Sequence, residues 1–287
     1  MSDADHVTWS ALLAQTTEQL GDANEARWLC EHASGLDGAE FVAGLGEFAT
    51  TAMVESLEGM MRRRLAGEPL QYVMRRWAFR HLDVLIDERV LIPRPETEVL
   101  VDIALELVRG VEAPRIVDLG TGSGVIGLSL ASELFPRVAE VWLVDASPAA
   151  LEVARANVAG VGRAGAVVRV AEGDWFAALP EELRVQVDVV VANPPYIAEG
   201  DDEVSASVVA WEPHVALYAG ADGLDAIRRI VADAPLWVRA GGWLVMEIGY
   251  QQGDAVAALF GAGWESVAVR QDLTGRDRFV VARRLAE

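Results

Sequence analysis

The chain has 287 residues, 52% of them hydrophobic, and a formal net charge of −20 at pH 7. Such a length suits one large domain or two unequal ones, and the acidic balance argues against an affinity for nucleic acid that rests on neutralised phosphates. Every basic residue is an arginine, which excludes a P-loop and a Schiff-base enzyme, since both need a lysine amine. The histidines His6, His32, His81 and His214 show no HExxH spacing, so a zinc hydrolase is not expected, and no G-x-S-x-G elbow is present. The apolar runs fall well short of the roughly 20 residues of a membrane span. The start, "MSDADHVTW", is too acidic and polar for a signal peptide. The lone cysteine, Cys30, permits no disulfide framework and reads as core filler. A cytoplasmic location with no membrane association is expected.

Residues 1–73 read as a helical domain. "WSALLAQTTEQL" and "NEARWLCEHASG" carry apolar residues at helical spacings and stop at Gly21 and Gly35. A longer helix spans Thr50 to Ala66, closing at Gly67. Residues 74–93 change character: "AFRHLDVLID" alternates loosely, then Pro93 and Pro95 break any regular element, which predicts a hairpin or connector and a pinned loop. A helical pattern resumes at Glu96. From Arg115 strands and helices alternate: "RIVDLG", "VWLVDAS", "AVVRVAEGD", "VDVVVANPP" and "GGWLVMEIG" as strands, with helices between them. Short Val-rich strands in βαβ order predict an α/β fold with a mostly parallel sheet. The C-terminal pair around a turn at Thr274–Asp277 is too closely joined to be parallel, so it is expected to be antiparallel.

"VDLGTGSGVIG" passes from strand into helix. Gly120, Gly122 and Gly124 remove side chains where a ligand approaches the backbone, and the following helix offers unpaired N–H groups. Gly122 to Gly127 match G-x-G-x-x-G, which by itself allows a dinucleotide. With Asp118 in front, the form D-x-G-x-G-x-G resembles the first motif of S-adenosylmethionine-dependent methyltransferases. Asp145 ends the next strand, where a carboxylate can accept both hydroxyls of a ribose; Ser147 is the better N-cap for the helix that follows. Asp174 and Trp175 end the third strand of the series, where an acceptor and an aromatic ring can flank an adenine.

"VVVANPPYIAEG" ends a fourth strand abruptly. Asn193 offers a side-chain carbonyl, and the backbone carbonyl of Pro194 offers a second acceptor. Pro194 and Pro195 stiffen the turn and remove competing donors, and Tyr196 can lay its ring against a planar group. Two acceptors on the two N–H bonds of a conjugated amine fix its plane and raise electron density on its nitrogen. Adenine, cytosine and carboxamide amino groups all fit this description, so nucleic-acid amino methylation, N6-adenine included, stays open beside a protein amide. An NAD-dependent oxidoreductase leaves Asn193–Tyr196 unexplained. A non-catalytic cofactor-binding scaffold is disfavoured by the intact motif.

The strings "GEPLQYV" (67–73), "LIPRPETE" (91–98), "DLGTGSG" (118–124), "DWF" (174–176), "NPPYI" (193–197), "WEPHVAL" (211–217) and "GRDR" (275–278) occur in one order. Together they resemble the protein-(glutamine-N5) methyltransferases that modify peptide chain release factors. The likeness covers nearly all of the chain from Gly67 onward, and the first 66 residues match only as a helical module. It implies a Rossmann-like class I S-adenosylmethionine-dependent methyltransferase sheet with an antiparallel C-terminal strand pair, plus a small N-terminal helical domain. It implies S-adenosylmethionine as donor and S-adenosylhomocysteine as product, with the glutamine of a release factor's Gly-Gly-Gln tip as target. A ribosomal-protein glutamine is the alternative, and no sequence-specific nucleic-acid partner is implied. Carried over, Gly120, Thr121, Gly122, Ser123, Gly124, Asp145, Trp175 and Asn193 would contact the cofactor. Asn193, Pro194, Pro195 and Tyr196 would hold the glutamine, with Asn193, Pro194 and Tyr196 acting in catalysis. Residues 1–73 would dock the release factor, 74–93 would form the connector, and 94–287 would be the catalytic domain. The Arg94–Glu98 loop would cover the pocket, or else be a linker tied by salt bridges. Trp211 stands where relatives often carry phenylalanine. Arg62, Arg63, Arg64, Arg75, Arg76 and Arg80 read either as a docking face for an acidic partner or as a solvated helix end.

Overall fold

The computed structural model describes residues 7–201 and 204–286, so His6 falls outside the described residues. Two compact units divide the chain at Arg75/Arg76. The first is helical: α1 (Trp9–Leu20), α2 (Ala23–Ser34), α3 (Gly38–Ala43), α4 (Thr51–Leu65) and α5 (Leu70–Met74). Thr8, Asp22 and Thr50 cap α1, α2 and α4 by accepting from backbone N–H groups of the first turn. Gly21 (φ 72°) and Gly35 (φ 71°) end α1 and α2 in the left-handed region, at the stops read from the sequence. The six-residue α3 and five-residue α5 carry too few turns to show a periodic pattern. Trp9, Leu12, Leu29, Phe41, Leu57, Met60 and Leu70 share the core of this unit. Cys30 is buried in it with its Sγ 4.0 Å from Thr16 Oγ1. Burial pushes the thiol up to about 11, so it packs and does not react.

Arg62 is a solvated residue of the last turn of α4, its side chain 74% exposed, whereas other members of the arginine cluster are held by partners within the fold. Within the helical unit Arg64 Nε donates to Glu25 at 2.7 Å, joining α4 to α2. Arg63 pairs with Glu68 and donates to the carbonyls of Tyr72 and Val73. In the second unit Arg76 pairs with Asp83 at 2.6 Å, and Arg80 pairs with Glu133 at 2.7 Å and Asp102 at 2.8 Å. Carboxylates are abundant in this chain and engage these arginines within the fold.

The second unit opens with an antiparallel hairpin, β1 (Arg76–Phe79) and β2 (Leu82–Leu85). A single 3-10 turn at Pro95–Thr97 leads into α6 (Glu98–Leu107). There follow β3 (Arg115–Leu119), α7 (Val125–Leu134), β4 (Glu140–Asp145), α8 (Pro148–Gly160), β5 (Val168–Glu172), β6 (Val187–Ala192), α9 (Ala206–Trp211), α10 (Asp225–Asp233), β7 (Val238–Glu247), α11 (Gly253–Ala257), β8 (Trp264–Gln271) and β9 (Asp277–Arg284). The large sheet runs β5-β4-β3-β6-β7-β9-β8. Pairings are parallel from β5 to β7 and antiparallel for β7–β9 and β8–β9, as the C-terminal turn led one to expect. All six residues of β6 are buried, Asp188 included, which fits its central place and the apolar run Val189–Ala192. The chain runs outward from β3 to β5, then returns to lay β6 on the other side of β3. The order therefore reverses between β3 and β6, and ligands of open α/β sheets bind outside the carboxyl ends at such a point.

Candidate active site

Register alone sets the site. Leu119 pairs with Val144 on one side and Ala192 on the other, and Ala192 pairs with Met246. The residues one step further on, Gly120, Asp145, Asn193 and Glu247, therefore stand in a row along the carboxyl edge of four neighbouring parallel strands.

At the β3–β4 end the structure is held by carboxylates bonded mostly to backbone. Asp118 is fully buried; its Oδ2 accepts from Gly127 N at 2.9 Å and Thr121 Oγ1 at 2.6 Å. These bonds clamp both arms of the glycine loop. Its Oδ1 has no partner, and burial pushes the acid up to about 6. Gly127 belongs to this clamp: a Cβ there would come within 2.2 Å of Leu143 Cδ2. Asp145 accepts from Gly122 N with Oδ2 and from Ser147 N with Oδ1, each at 2.9 Å. Burial pushes its carboxyl above the ordinary carboxylate range, against those bonds. Ser147 caps α8 through Ala150 N, as the sequence suggested. Asn157 on α8 donates to the carbonyls of Ser123 (2.9 Å) and Leu85 (3.1 Å), tying the loop to the β1–β2 hairpin. Trp175, itself at φ 53°, lies so close over Gly120 that an added Cβ would meet its ring at 3.2 Å.

At the β6–β7 end the partners are side chains. Glu247 is 2% exposed. Its Oε2 accepts from Thr97 Oγ1 at 2.7 Å and its Oε1 from the Tyr196 hydroxyl at 3.2 Å. Asn193 Nδ2 donates in turn to Thr97 Oγ1 at 3.4 Å. Burial pushes Glu247 up, while Thr97, Arg278 and Tyr196 favour its charged form. Tyr196 is driven well above the ordinary phenol value by burial and by the Glu247 charge, so it stays protonated. The backbone of the turn is fixed separately: Gln252 Nε2 donates to the Tyr196 carbonyl at 2.9 Å, and Ile197 N donates to the Leu217 carbonyl at 3.0 Å.

Two cavities open on this row. The first, of about 440 Å³, is lined by Gly120, Thr121, Gly122, Ser123, Asp145, Trp175, Asn193 and Pro195 among others. The second, of about 290 Å³, is lined by Arg94, Asn193, Pro194, Tyr196 and Glu247 among others. Asn193 lines both. Of the residues expected to contact the cofactor or the glutamine, Gly124 lines neither cavity, capping α7 at φ 88° instead, and Pro195 lines the first cavity and not the second. Asp174 lines the first cavity with its Oδ2 on Arg229 at 2.6 Å. The Arg94–Glu98 segment combines both of its readings. Arg94 lines the second cavity and pairs with buried Glu212 at 2.5 Å, while Glu212 also accepts from Ile92 N at 3.1 Å. Thr97, Glu212 and Glu247 were not identified from sequence. The available signal was a lone carboxylate closing the apolar strand "LVME" and another in "WEPH".

Residues 97–212 match the family model described as Methyltransferase small domain, and residues 11–74 match that of the PrmC N-terminal domain. The hMettl16 catalytic domain, solved in complex with MAT2A 3'UTR hairpin 6, shares the fold with a TM-score of 0.53 at 16% identity, over 84% of this chain and 85% of that one. Sheet order, glycine loop and strand-end row define a class I S-adenosylmethionine-dependent methyltransferase. The first cavity fits that cofactor. Its volume is in the range of ligand sites, and its lining includes a carboxylate at a strand end, an indole, and Gly120 and Gly122 of the loop. At Gly122 an added Cβ would meet no protein atom within 4 Å, so the backbone there is open to a ligand.

The Release factor glutamine methyltransferase of Xylella fastidiosa (strain 9a5c) is 42% identical to this chain over 95% of it and 97% of the relative. That of Burkholderia pseudomallei (strain K96243) is 42% identical over 90% of each. The chain belongs to the release factor glutamine methyltransferase family.

Proposed function

We propose that this protein transfers a methyl group from S-adenosylmethionine to the side-chain amide nitrogen, N5, of the glutamine in the Gly-Gly-Gln motif of peptide chain release factors. The observation that carries this reading is Asn193, the one polar residue lining both cavities among the described residues. The reading puts the cofactor in the first cavity, against Gly120–Ser123, Asp145, Trp175 and Pro195, and the glutamine in the second, against Asn193, Pro194 and Tyr196. Release-factor docking is assigned to residues 1–73, the connector to 74–93, and the chemistry to 94–287.

S-adenosylmethionine, when bound, supplies an electrophilic methyl group on a sulfonium. Asn193 Oδ1 and the Pro194 carbonyl accept the two N–H bonds of the glutamine amide, which hold its plane and push electron density onto nitrogen. With the amide so held, its nitrogen would take the methyl group from the sulfonium, leaving S-adenosylhomocysteine, and would lose its extra proton to water. Orientation of this kind replaces a strong base. That suits a site where Tyr196 is held protonated and both oxygens of Glu247 are already bonded. Mass spectrometry of purified release factor after incubation with enzyme and donor tests the reading. One methyl group on the Gly-Gly-Gln glutamine is expected; an unmodified tip with methyl on a ribosomal protein or on adenine would overturn it.

A further inference from the structure

We propose that Glu247, acting through Thr97, is the positioning residue that decides which end of the Asn193 amide faces the substrate. The proposal rests on the reading of Asn193 as acceptor for the glutamine amide. An asparagine side chain ends in an oxygen and an NH₂ of nearly equal size, so packing does not choose between them. Hydrogen bonding must, and here it does so in a fixed direction.

Glu247 carries no proton to give when ionised, and both of its oxygens accept, one from Thr97 and one from Tyr196. Thr97 has a single hydroxyl proton, and that proton is committed to Glu247 at 2.7 Å. Towards Asn193 the threonine can therefore show only a lone pair, which suits Nδ2 at 3.4 Å and repels Oδ1. The amide oxygen is left for the substrate. Thr97 and Glu247 are each 2% exposed, so water does not readily stand in for a lost partner. The relay follows from the sheet: Ala192 pairs with Met246, and this places Asn193 and Glu247 side by side with Thr97 at the head of α6 completing the chain.

Reversing the relay should reverse the requirement at position 193. In Glu247→Gln an amide N–H can donate to Thr97, which then turns its own proton towards Asn193 and draws Oδ1 away from the substrate. In Asn193→Asp the wild-type relay sets a lone pair against a carboxylate oxygen, whereas the reversed relay gives that oxygen a donor. The test is a double-mutant cycle in the full-length enzyme, with kcat and KM measured on release factor and binding of S-adenosylmethionine measured by calorimetry. Glu247→Gln should lower kcat by about 10- to 100-fold in the wild-type background, with cofactor affinity held within about threefold. In the Asn193→Asp background the same change should raise kcat. A purely structural role would lower both alike, and that result would overturn the proposal. Should the Gln variant fold poorly, Thr97→Val and Thr97→Ser provide the second arm. Valine should lose activity and serine keep it within about threefold, and equal activity in the two would also overturn the proposal. Full activity in Asn193→Ala would instead remove the underlying reading of Asn193.

Discussion

The two ends of the strand-end row hold their carboxylates in different ways. Asp118 and Asp145 accept mainly from backbone N–H groups of the loop and turn beside them, with the Thr121 hydroxyl a further donor to Asp118. Glu247 is satisfied by the hydroxyls of Thr97 and Tyr196. A carboxylate bonded to backbone fixes the path of the chain, so the first end gives a loop of constant shape. A carboxylate bonded to hydroxyls fixes proton directions, so the second end gives oriented side chains. Damage to the first should therefore appear in stability and cofactor affinity, and damage to the second in kcat.

The largest effect concerns Asp118. Its acid is raised from an ordinary 3.8 to about 6 by burial. The folded state therefore binds a proton more tightly than the unfolded chain, and this group favours folding at low pH and opposes it as pH rises through about 6. The difference amounts to roughly 3 kcal/mol. Oδ1, which has no partner, can take the proton without breaking the loop bonds. Denaturant midpoints measured at about pH 5 and about pH 7 should show a little under half of this difference, about 1.3 kcal/mol, in the wild type and lose it in Asp118→Asn. An unchanged pH difference in the variant would contradict the role given to burial.

Next comes Gly223→Ala. A Cβ there would stand 2.3 Å from the Tyr196 carbonyl oxygen, at φ 73°. The turn after Asn193 must shift, and misplacement of reacting groups on that scale costs about 10²-fold in rate. The loss should fall on kcat; a change confined to cofactor affinity would break the division between the two ends. Gly127→Ala tests the opposite end. Its Cβ would press on fully buried Leu143, and overpacking of this kind costs about 1–3 kcal/mol. Thermal unfolding should register it, with kcat at saturating cofactor nearly unchanged. The smallest effect belongs to Tyr196→Phe. It removes one of two donors to Glu247, worth about 1 kcal/mol, and should lower kcat by roughly fivefold while calorimetry finds cofactor binding intact.

Legibility in the sequence follows the same division. The glycine loop, Asp145 with its Ser147 cap, and the Asn193–Tyr196 turn are contiguous stretches whose chemistry is local, and they could be read residue by residue. The helix stops at Gly21 and Gly35 and the antiparallel C-terminal pair were legible because a backbone conformation or a short connection required them. Thr97 and Glu247 are 150 positions apart. Their partnership exists only after β6 inserts between β3 and β7, and no local pattern announces that crossover. The pairing within the arginine cluster was illegible for a related reason: Arg64 meets Glu25 from 39 residues away, and Arg80 meets Glu133 from 53. Charge patterning along the chain records neighbours in sequence, whereas these pairs are neighbours only in space.

The central claim is that Asn193 serves the acceptor amide while the glycine-loop end holds the donor. Single-turnover methylation of a release factor by Asn193→Ala, alongside calorimetric titration of the same variant with S-adenosylmethionine, tests it most directly. The account expects cofactor affinity within about threefold of wild type and methyl transfer slower by about 10²- to 10³-fold. Transfer at the wild-type rate, or a loss explained wholly by failed cofactor binding, would contradict it.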